Sequence, residues 1–89
     1  MNSHTAEDFW KLFYKLPLDV QEQAYKAYQL FSSNPFHPGL NFERVNKRLD
    51  IWSARINESY RVLGYRNGEE ILWFWIGTHR DYEKMIHRS

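Results

Sequence analysis

The hydrophobic pattern of the chain changes its period near the middle, at residues 32–39, where Ser, Asn, Pro and Gly are concentrated. Before this segment the apolar residues recur every three to four positions, which is typical of helices. From Leu40 onwards the apolar residues tend to alternate with polar ones, which is typical of strands. The sequence therefore predicts an α+β fold in which helices cover one face of an antiparallel sheet.

The first half predicts two helices that form a hairpin. Thr5 followed by Asp8 resembles a capping box at the start of the first helix. Pro17 ends this helix and suits the first turn of the second, which Asn34-Pro35 ends. The apolar residues of the first helix are Phe9, Trp10, Phe13 and Leu16, and the predicted core stripe of the second is Val20, Ala24, Ala27 and Phe31.

The second half predicts four strands, at about residues 40–46, 50–56, 60–66 and 70–76. Asn67-Gly68 favours a type I′ turn between the last two, because both central positions of that turn need positive φ. Residues 57–59 are expected to close the preceding hairpin as a short loop, which sets Arg55 opposite Arg61. The type I′ turn predicts these pairs: Arg66 with Glu69, Leu63 with Leu72, Arg61 with Phe74, and Val62 with Trp73.

These registers sort the strand residues into two faces. One face is nearly all apolar and is expected to pack on the helices: Trp52, Ala54, Ile56, Tyr60, Val62, Ile71, Trp73 and Trp75. The other face is mixed and is expected to meet solvent or a ligand: Ser53, Arg55, Arg61, Leu63, Tyr65, Glu70, Leu72 and Phe74.

Composition excludes several classes of protein. A length of 89 residues predicts a single domain over residues 1–89, and the absence of cysteine excludes a disulfide scaffold or a thiolate metal site. A net charge of +1 argues against a basic tail that binds nucleic acid by bulk charge. The longest apolar run, 71–76, is too short to span a membrane, and no signal peptide is visible, so we expect a cytoplasmic protein.

The predicted pair of Arg55 and Arg61 is the most informative local feature. Like charges directly opposite on one sheet face are destabilising, and an anion such as a phosphate between the guanidinium groups would relieve the repulsion. The alternative is that both charges extend into water or pair with Glu58 and Glu70.

Polar residues also follow the last predicted strand, in the segment 77–82. Here His79 can exchange a proton near neutral pH, Tyr82 can donate from its phenol, Arg80 can hold charge and Asp81 could orient the imidazole. The alternative is that Asp81 caps a C-terminal helix over 82–86 and that His79 is only a loop residue.

A third candidate is the basic cluster of Arg44, Lys47 and Arg48 between the first two predicted strands. Such a cluster can bind a nucleic-acid backbone. Alternatively, it is solvated charge that protects an edge strand from aggregation.

Short motifs follow one another in a set order along nearly the whole chain. They are Leu16-Pro17, Val20-Gln21, Ala24, Asn34-Pro35, Pro38-Gly39-Leu40, Trp52-Ser53-Ala54-Arg55-Ile56, Tyr60-Arg61-Val62-Leu63 and Trp73-Phe74-Trp75-Ile76-Gly77-Thr78-His79 followed by Tyr82. This order resembles the RelE/ParE superfamily, the toxin components of type II toxin–antitoxin modules. The resemblance implies a helical hairpin on a twisted antiparallel sheet, a first strand for which only residues 2–4 are available, and a cognate antitoxin as partner.

The resemblance also implies one of two activities. RelE-like members are endoribonucleases that cut mRNA in the ribosomal A site without a metal or another cofactor. ParE-like members inhibit DNA gyrase and lack the catalytic residues. The sequence favours the RelE-like activity, with a non-catalytic gyrase inhibitor or a degenerate binding module of the same fold as the alternative.

Under the RelE-like interpretation, the 2′-hydroxyl of the RNA attacks the adjacent phosphate. The resemblance then assigns Arg61, with Arg55 beside it, to the scissile phosphate, and His79 and Tyr82 to acid–base chemistry. RNA and ribosome binding falls to the basic residues Arg44, Lys47, Arg48 and Arg80. No glutamate in the sequence clearly matches the general base of the histidine-bearing family members.

Overall fold

The computed structural model describes residues 1–87, which form five strands, three α-helices and a short 3₁₀ helix. The strands are β1 (Asn2–Thr5), β2 (Glu43–Asn46), β3 (Ile51–Arg55), β4 (Tyr60–Asn67) and β5 (Glu70–Thr78). The helices are α1 (Glu7–Phe13), α2 (Leu18–Ser33) and α3 (His79–His87), with the 3₁₀ turn at Pro38–Leu40. None of the helices within residues 1–87 is long and apolar enough to cross a membrane.

The five strands form one sheet in the order β1-β5-β4-β3-β2. Strands β2 to β5 pair antiparallel to their neighbours, whereas β1 pairs parallel to β5 at the edge. The predicted α+β fold is therefore confirmed, and the antiparallel sheet gains one parallel strand. That strand includes the segment 2–4 expected from the resemblance.

The helical hairpin forms as predicted, but its start differs. Thr5 belongs to β1, and its hydroxyl accepts a hydrogen bond from the Trp10 indole at 3.0 Å instead of capping α1. The predicted capping box was therefore wrong, because the strand takes the residue that would have served as the cap. Pro17 is the N-cap residue of α2 and Asn34 its C-cap, close to the predicted positions, whereas α1 ends at Phe13 instead of continuing to Leu16.

The β4–β5 register differs from the prediction for two reasons. The turn lies at Gly68-Glu69, with Asn67 opposite Glu70, and only Gly68 of the two takes a positive φ, of 61°. A β-bulge then inserts Phe74 into β5, which reverses the faces of the residues after it. The predicted pairs were therefore wrong, and the observed ones include Leu63↔Trp75, Val62↔Ile76 and Arg61↔Gly77.

The bulge also changes which residues form the core. We call the side of the sheet that α1 and α2 cover the helix face; it carries Ala54, Val62, Trp73 and Ile76. We call the opposite side the arginine face; it carries Arg55, Arg61, Leu63 and Trp75. Trp75, predicted for the core, lies on the arginine face, and Ile76 takes its place with an exposure of 2%. The buried cluster is Phe9, Phe13, Phe31, Leu40, Phe42, Ala54, Val62, Ile71, Trp73 and Ile76.

Small side chains on α2 and on the sheet leave a cleft between the two layers. Ala24 and Ala27 of α2 and Ala54 of β3 line an apolar cleft of about 320 Å³ between the two layers. Aromatic rings fill much of the remaining space: Phe31 meets Phe42 and Trp73 edge-on at 5.1 and 5.3 Å. Such tilted ring pairs add to the stability that area burial alone provides.

Candidate functional site

Arg55 and Arg61 are directly opposite each other on the arginine face, which confirms the predicted register. Both side chains are half-buried. Of the two carboxylates considered as partners, Glu58 lies 3.9 Å from Arg55, whereas Glu70 contacts His4 at 3.1 Å. The like charges are therefore only partly compensated, and Glu58, whose side chain is 92% exposed, holds Arg55 weakly.

Backbone carbonyls hold the Arg61 guanidinium in place. Its Nη1 donates to the carbonyl of Asn57 and, at 2.9 Å, to that of Tyr60. Burial, and then the charge of Arg55, lower the pKa of Arg61 from its ordinary value, while Tyr82 and Glu43 act in the opposite direction. A guanidinium stays protonated at neutral pH despite such a shift, so Arg61 is a fixed positive charge.

The loop over residues 57–59 positions the site. The Asn57 side-chain oxygen accepts hydrogen bonds from the backbone N–H groups of Ser59 and Tyr60 at 2.7 and 3.0 Å, which is an Asx turn. The amide of Asn57 also donates to Gln23 of α2. The N–H of His79 donates to the Ser59 carbonyl at 2.7 Å, so this loop joins the arginine pair to the start of α3.

Helix α3 carries the remaining predicted acid–base residues. It begins at His79, and the Thr78 hydroxyl caps it by accepting the N–H of Asp81 at 3.2 Å. The alternative prediction, a helix over 82–86 capped by Asp81, was therefore wrong: the helix begins at His79, and Thr78 provides the cap. The His79 ring lies 3.4 Å from Glu83 and 5.5 Å, between centroids, from the ring of Tyr82. Tyr82 is 7% exposed.

Two further residues of the arginine face were not among the site residues predicted from the sequence. Glu43 on β2 pairs with Ser53, which is two residues before Arg55 on the same face of β3. The negative charge of Glu43 acts to raise the pKa of Arg61. Trp75 lies on β5 with its indole over Gly77, the cross-strand partner of Arg61. Strand alternation would have placed Glu43 on this face once β2 was paired with β3. The face of Trp75 could not be predicted from alternation, because the bulge precedes it in β5.

The predicted RNA-binding residues do not lie together. Lys47 and Arg48 are exposed in the β2–β3 turn, about 13 Å from Arg55 along β3 at the usual rise per residue. Arg44 pairs with Trp52 on the helix face and lies 3.5 Å from Asp50. Arg80 is exposed in the first turn of α3, so only this one of the four is close in sequence to His79 and Tyr82.

The grouped residues have the chemical properties of a site for a phosphodiester. Two guanidinium groups can bind phosphoryl oxygens, and a carboxylate, an imidazole and a phenol around them can move protons. Glu43 lies on the β2 side of the arginine pair and His79 follows β5 on the other side. In residues 1–87 no three His, Asp or Glu side chains are grouped so as to hold a metal ion.

Comparison with known proteins gives one family and one fold. The model of the ParE-like toxin domain matches residues 18–84. No curated protein sequence matches the chain. Among solved structures, the RelB–RelE antitoxin–toxin complex of Methanococcus jannaschii is similar with a TM-score of 0.73 and 14% identity, covering 92% of this chain and 96% of that one.

Two bacterial proteins have comparable structural similarity. YafQ from E. coli has a TM-score of 0.69 and 11% identity, covering 91% of this chain and 96% of that chain. A YoeB/ParE toxin from Agrobacterium tumefaciens has a TM-score of 0.67 and 15% identity, covering 89% and 99%. At these identities the likeness establishes a shared fold.

Proposed function

Because the chain belongs to the ParE-like toxin family, we propose that it is a toxin that cleaves mRNA on the ribosome and that a cognate antitoxin holds in check. The observation that carries this proposal is the pairing of Arg55 with Arg61 beside His79 and Tyr82. A gyrase inhibitor without catalysis has no need for two opposed guanidinium groups next to groups that transfer protons. A ribonuclease needs both.

In the proposed reaction the 2′-oxygen of the RNA attacks the adjacent phosphorus and the 5′-oxygen of the next nucleotide leaves. A base takes the proton of the 2′-hydroxyl, and an acid gives a proton to the leaving oxygen. The products are a 2′,3′-cyclic phosphate and a free 5′-hydroxyl. Arg55 and Arg61 bind the phosphoryl oxygens, whose negative charge rises in the transition state.

The acid and the base approach the phosphate from opposite sides of the arginine pair. We assign the base to Glu43 on the β2 side, because it is a carboxylate on this face whose charge reaches Arg61. His79, at the start of α3 beyond β5, is the acid; its ring packs beside that of Tyr82 and lies 3.4 Å from Glu83. Opposite placement suits an in-line displacement, in which the attacking and leaving oxygens lie on opposite sides of phosphorus.

The antitoxin is proposed from the family and the structural neighbours. Two of the similar structures are complexes of RelE with RelB, from Methanococcus jannaschii and Pyrococcus horikoshii. A chain of the same fold with a reactive face is expected to need a comparable inhibitor.

Expression without the antitoxin, followed by mapping of mRNA 5′ ends, tests the proposal. We expect growth arrest and new ends within translated codons for the wild type, and neither for Arg61→Ala or His79→Ala. Melting curves of the purified variants must match the wild type, because both residues are partly exposed. Unchanged mRNA ends during growth arrest would reject the ribonuclease.

The alternative function is inhibition of DNA gyrase, the activity that the resemblance to ParE-like members implies. A supercoiling assay with purified gyrase separates the two functions. Inhibition of supercoiling that His79→Ala leaves unchanged, without mRNA cleavage, would establish the alternative.

A further inference from the structure

The chain has four tryptophans, and three of them use their indole N–H within the fold. Trp10 donates to Thr5 at 3.0 Å, Trp73 to Ser3 at 3.4 Å, and Trp52 to Asp50 at 3.5 Å. The same three rings also contact other aromatic rings.

Trp75 differs from the other tryptophans on both counts. Across residues 1–87 no hydrogen bond of its indole N–H is found, and its ring contacts no other aromatic ring. In this part of the chain every fully buried side-chain nitrogen or oxygen has a hydrogen-bond partner. Since the Trp75 N–H has none, it is not fully buried and is accessible to solvent. The side chain is half-buried. A large ring with a free donor on a partly exposed surface is available to a ligand.

The position of Trp75 relates it to the arginine pair. The bulge at Phe74 turns Trp75 onto the arginine face, opposite Leu63. Its six-membered ring lies over Gly77: a Cβ built on that glycine would be 2.6 Å from Cζ2 of the indole. Gly77 is the cross-strand partner of Arg61, so the indole extends from its own row, opposite Leu63, towards the row that holds the arginine pair.

We propose that Trp75 stacks against the nucleobase next to the phosphate that Arg55 and Arg61 hold. This inference rests on the proposed ribonuclease function and assigns the substrate as single-stranded RNA with an unpaired base at that position. Base–aromatic stacking accepts any base, since every base has a flat face, so Trp75 contributes affinity and position rather than sequence preference. The free indole N–H can add one hydrogen bond to the base or the backbone.

The rest of the arginine face fits this reading better than a purely apolar partner surface. Leu63 is 2% exposed and offers no contact surface. The neighbouring row of the sheet on this face carries the two charges of Arg55 and Arg61. Further along, Tyr65 and Phe74 stack on each other at 4.3 Å, with their planes 22° apart. These two rings therefore already have an aromatic partner in each other. Trp75, beside the two arginines, has no aromatic partner among residues 1–87.

The test compares Trp75→Leu, Trp75→Phe and the matched control Tyr65→Leu, which removes an exposed ring from the same face. The first readout is kcat/KM for cleavage of mRNA on programmed ribosomes. The second is the Kd for a short RNA with a 2′-deoxy nucleotide at the cleavage position, either intact or abasic on one side of it. Melting curves establish that each variant is folded.

We expect Trp75→Leu to lower kcat/KM and weaken binding of the intact RNA by about 5- to 150-fold, the range of one base–aromatic stack. Trp75→Phe should restore most of the loss, and Tyr65→Leu should match the wild type. The abasic RNA should bind the wild type as weakly as the intact RNA binds Trp75→Leu, with little further loss when both changes are combined.

Three results would overturn the inference. Trp75→Leu could cleave and bind like the wild type, or it could weaken intact and abasic RNA by the same factor. It could also release the antitoxin while leaving RNA cleavage unchanged, which would assign this surface to the antitoxin. A wild-type protein that neither cleaves nor binds RNA would instead reject the proposed function, and the stacking with it.

Discussion

Each face of the sheet carries an arginine near a tryptophan, but the two arrangements differ. On the helix face the Arg66 guanidinium lies 4.5 Å from the Trp52 ring, and its Nε donates to the Gly68 carbonyl at 3.0 Å. On the arginine face Arg61 is opposite a second cation, and the nearby Trp75 has no ring partner among the described residues. The first arrangement is complete within the fold, whereas under the proposed function the second is completed by the phosphate of the RNA.

The comparison separates stability from function. A cation over aromatic rings is stabilising, so Arg66 needs no partner outside the chain. Two opposed arginines cost stability instead, and the proposed binding of a phosphate would account for their place in the sheet. Since the two faces belong to the same strands, matched substitutions on each face test this difference directly.

The largest expected effect concerns the two tryptophans of β5. Trp73→Ala should lower the free energy of unfolding by about 3–5 kcal/mol, because Trp73 is 7% exposed and contacts Phe31 and Phe42. Trp75→Ala should cost clearly less, since its ring is partly exposed. Urea titration followed by circular dichroism measures both values. Equal costs would break the comparison by showing that Trp75 is a core residue.

The next effect concerns two glycines. A Cβ at Gly64 would lie 2.8 Å from the Trp73 ring and 2.9 Å from Ile71, both buried, so Gly64→Ala should cost about 1–3 kcal/mol. The three atoms nearest to a Cβ at Gly77 all belong to the partly exposed Trp75 ring, which can move outwards, so Gly77→Ala should cost less and reduce RNA cleavage instead. Thermal melting gives the two stabilities. A larger loss for Gly77→Ala would contradict the account.

The smallest of these effects concerns Arg66. Arg66→Met keeps much of the apolar stem but removes the charge over the rings, which should cost about 0.5–2 kcal/mol of stability. Cleavage per folded molecule should stay unchanged, because Arg66 lies on the helix face. Reduced cleavage with unchanged melting would instead connect Arg66 to RNA binding.

The sequence predicted the β3–β4 register because the short loop over 57–59 leaves little choice of pairing, and that register placed Arg55 opposite Arg61. It failed at the β4–β5 hairpin, where a two-residue turn fits at 67–68 and at 68–69. Residues 73–76 are all apolar, so alternation cannot reveal the bulge at Phe74 that moves Trp75 to the other face. The bulge places Ile76 in the core where alternation would place Trp75.

The candidate site was predictable to the same extent. Arg55, Arg61, His79 and Tyr82 were proposed from the sequence, and they lie at one end of the sheet. Glu43 was not, because its neighbours depend on pairing between β2 and β3, which is irregular between Arg44 and Asn46. Long-range pairing of this kind is set by the packed sheet and leaves no local pattern in the sequence.

Cleavage of ribosome-bound mRNA by purified Arg61→Met and Arg66→Met tests most directly the claim that the arginine face holds the phosphate. We predict that Arg61→Met folds like the wild type and cleaves about 100- to 1,000-fold more slowly, the usual effect of removing a group that stabilises transition-state charge. Arg66→Met should cleave at the wild-type rate. Wild-type cleavage by folded Arg61→Met would contradict the account.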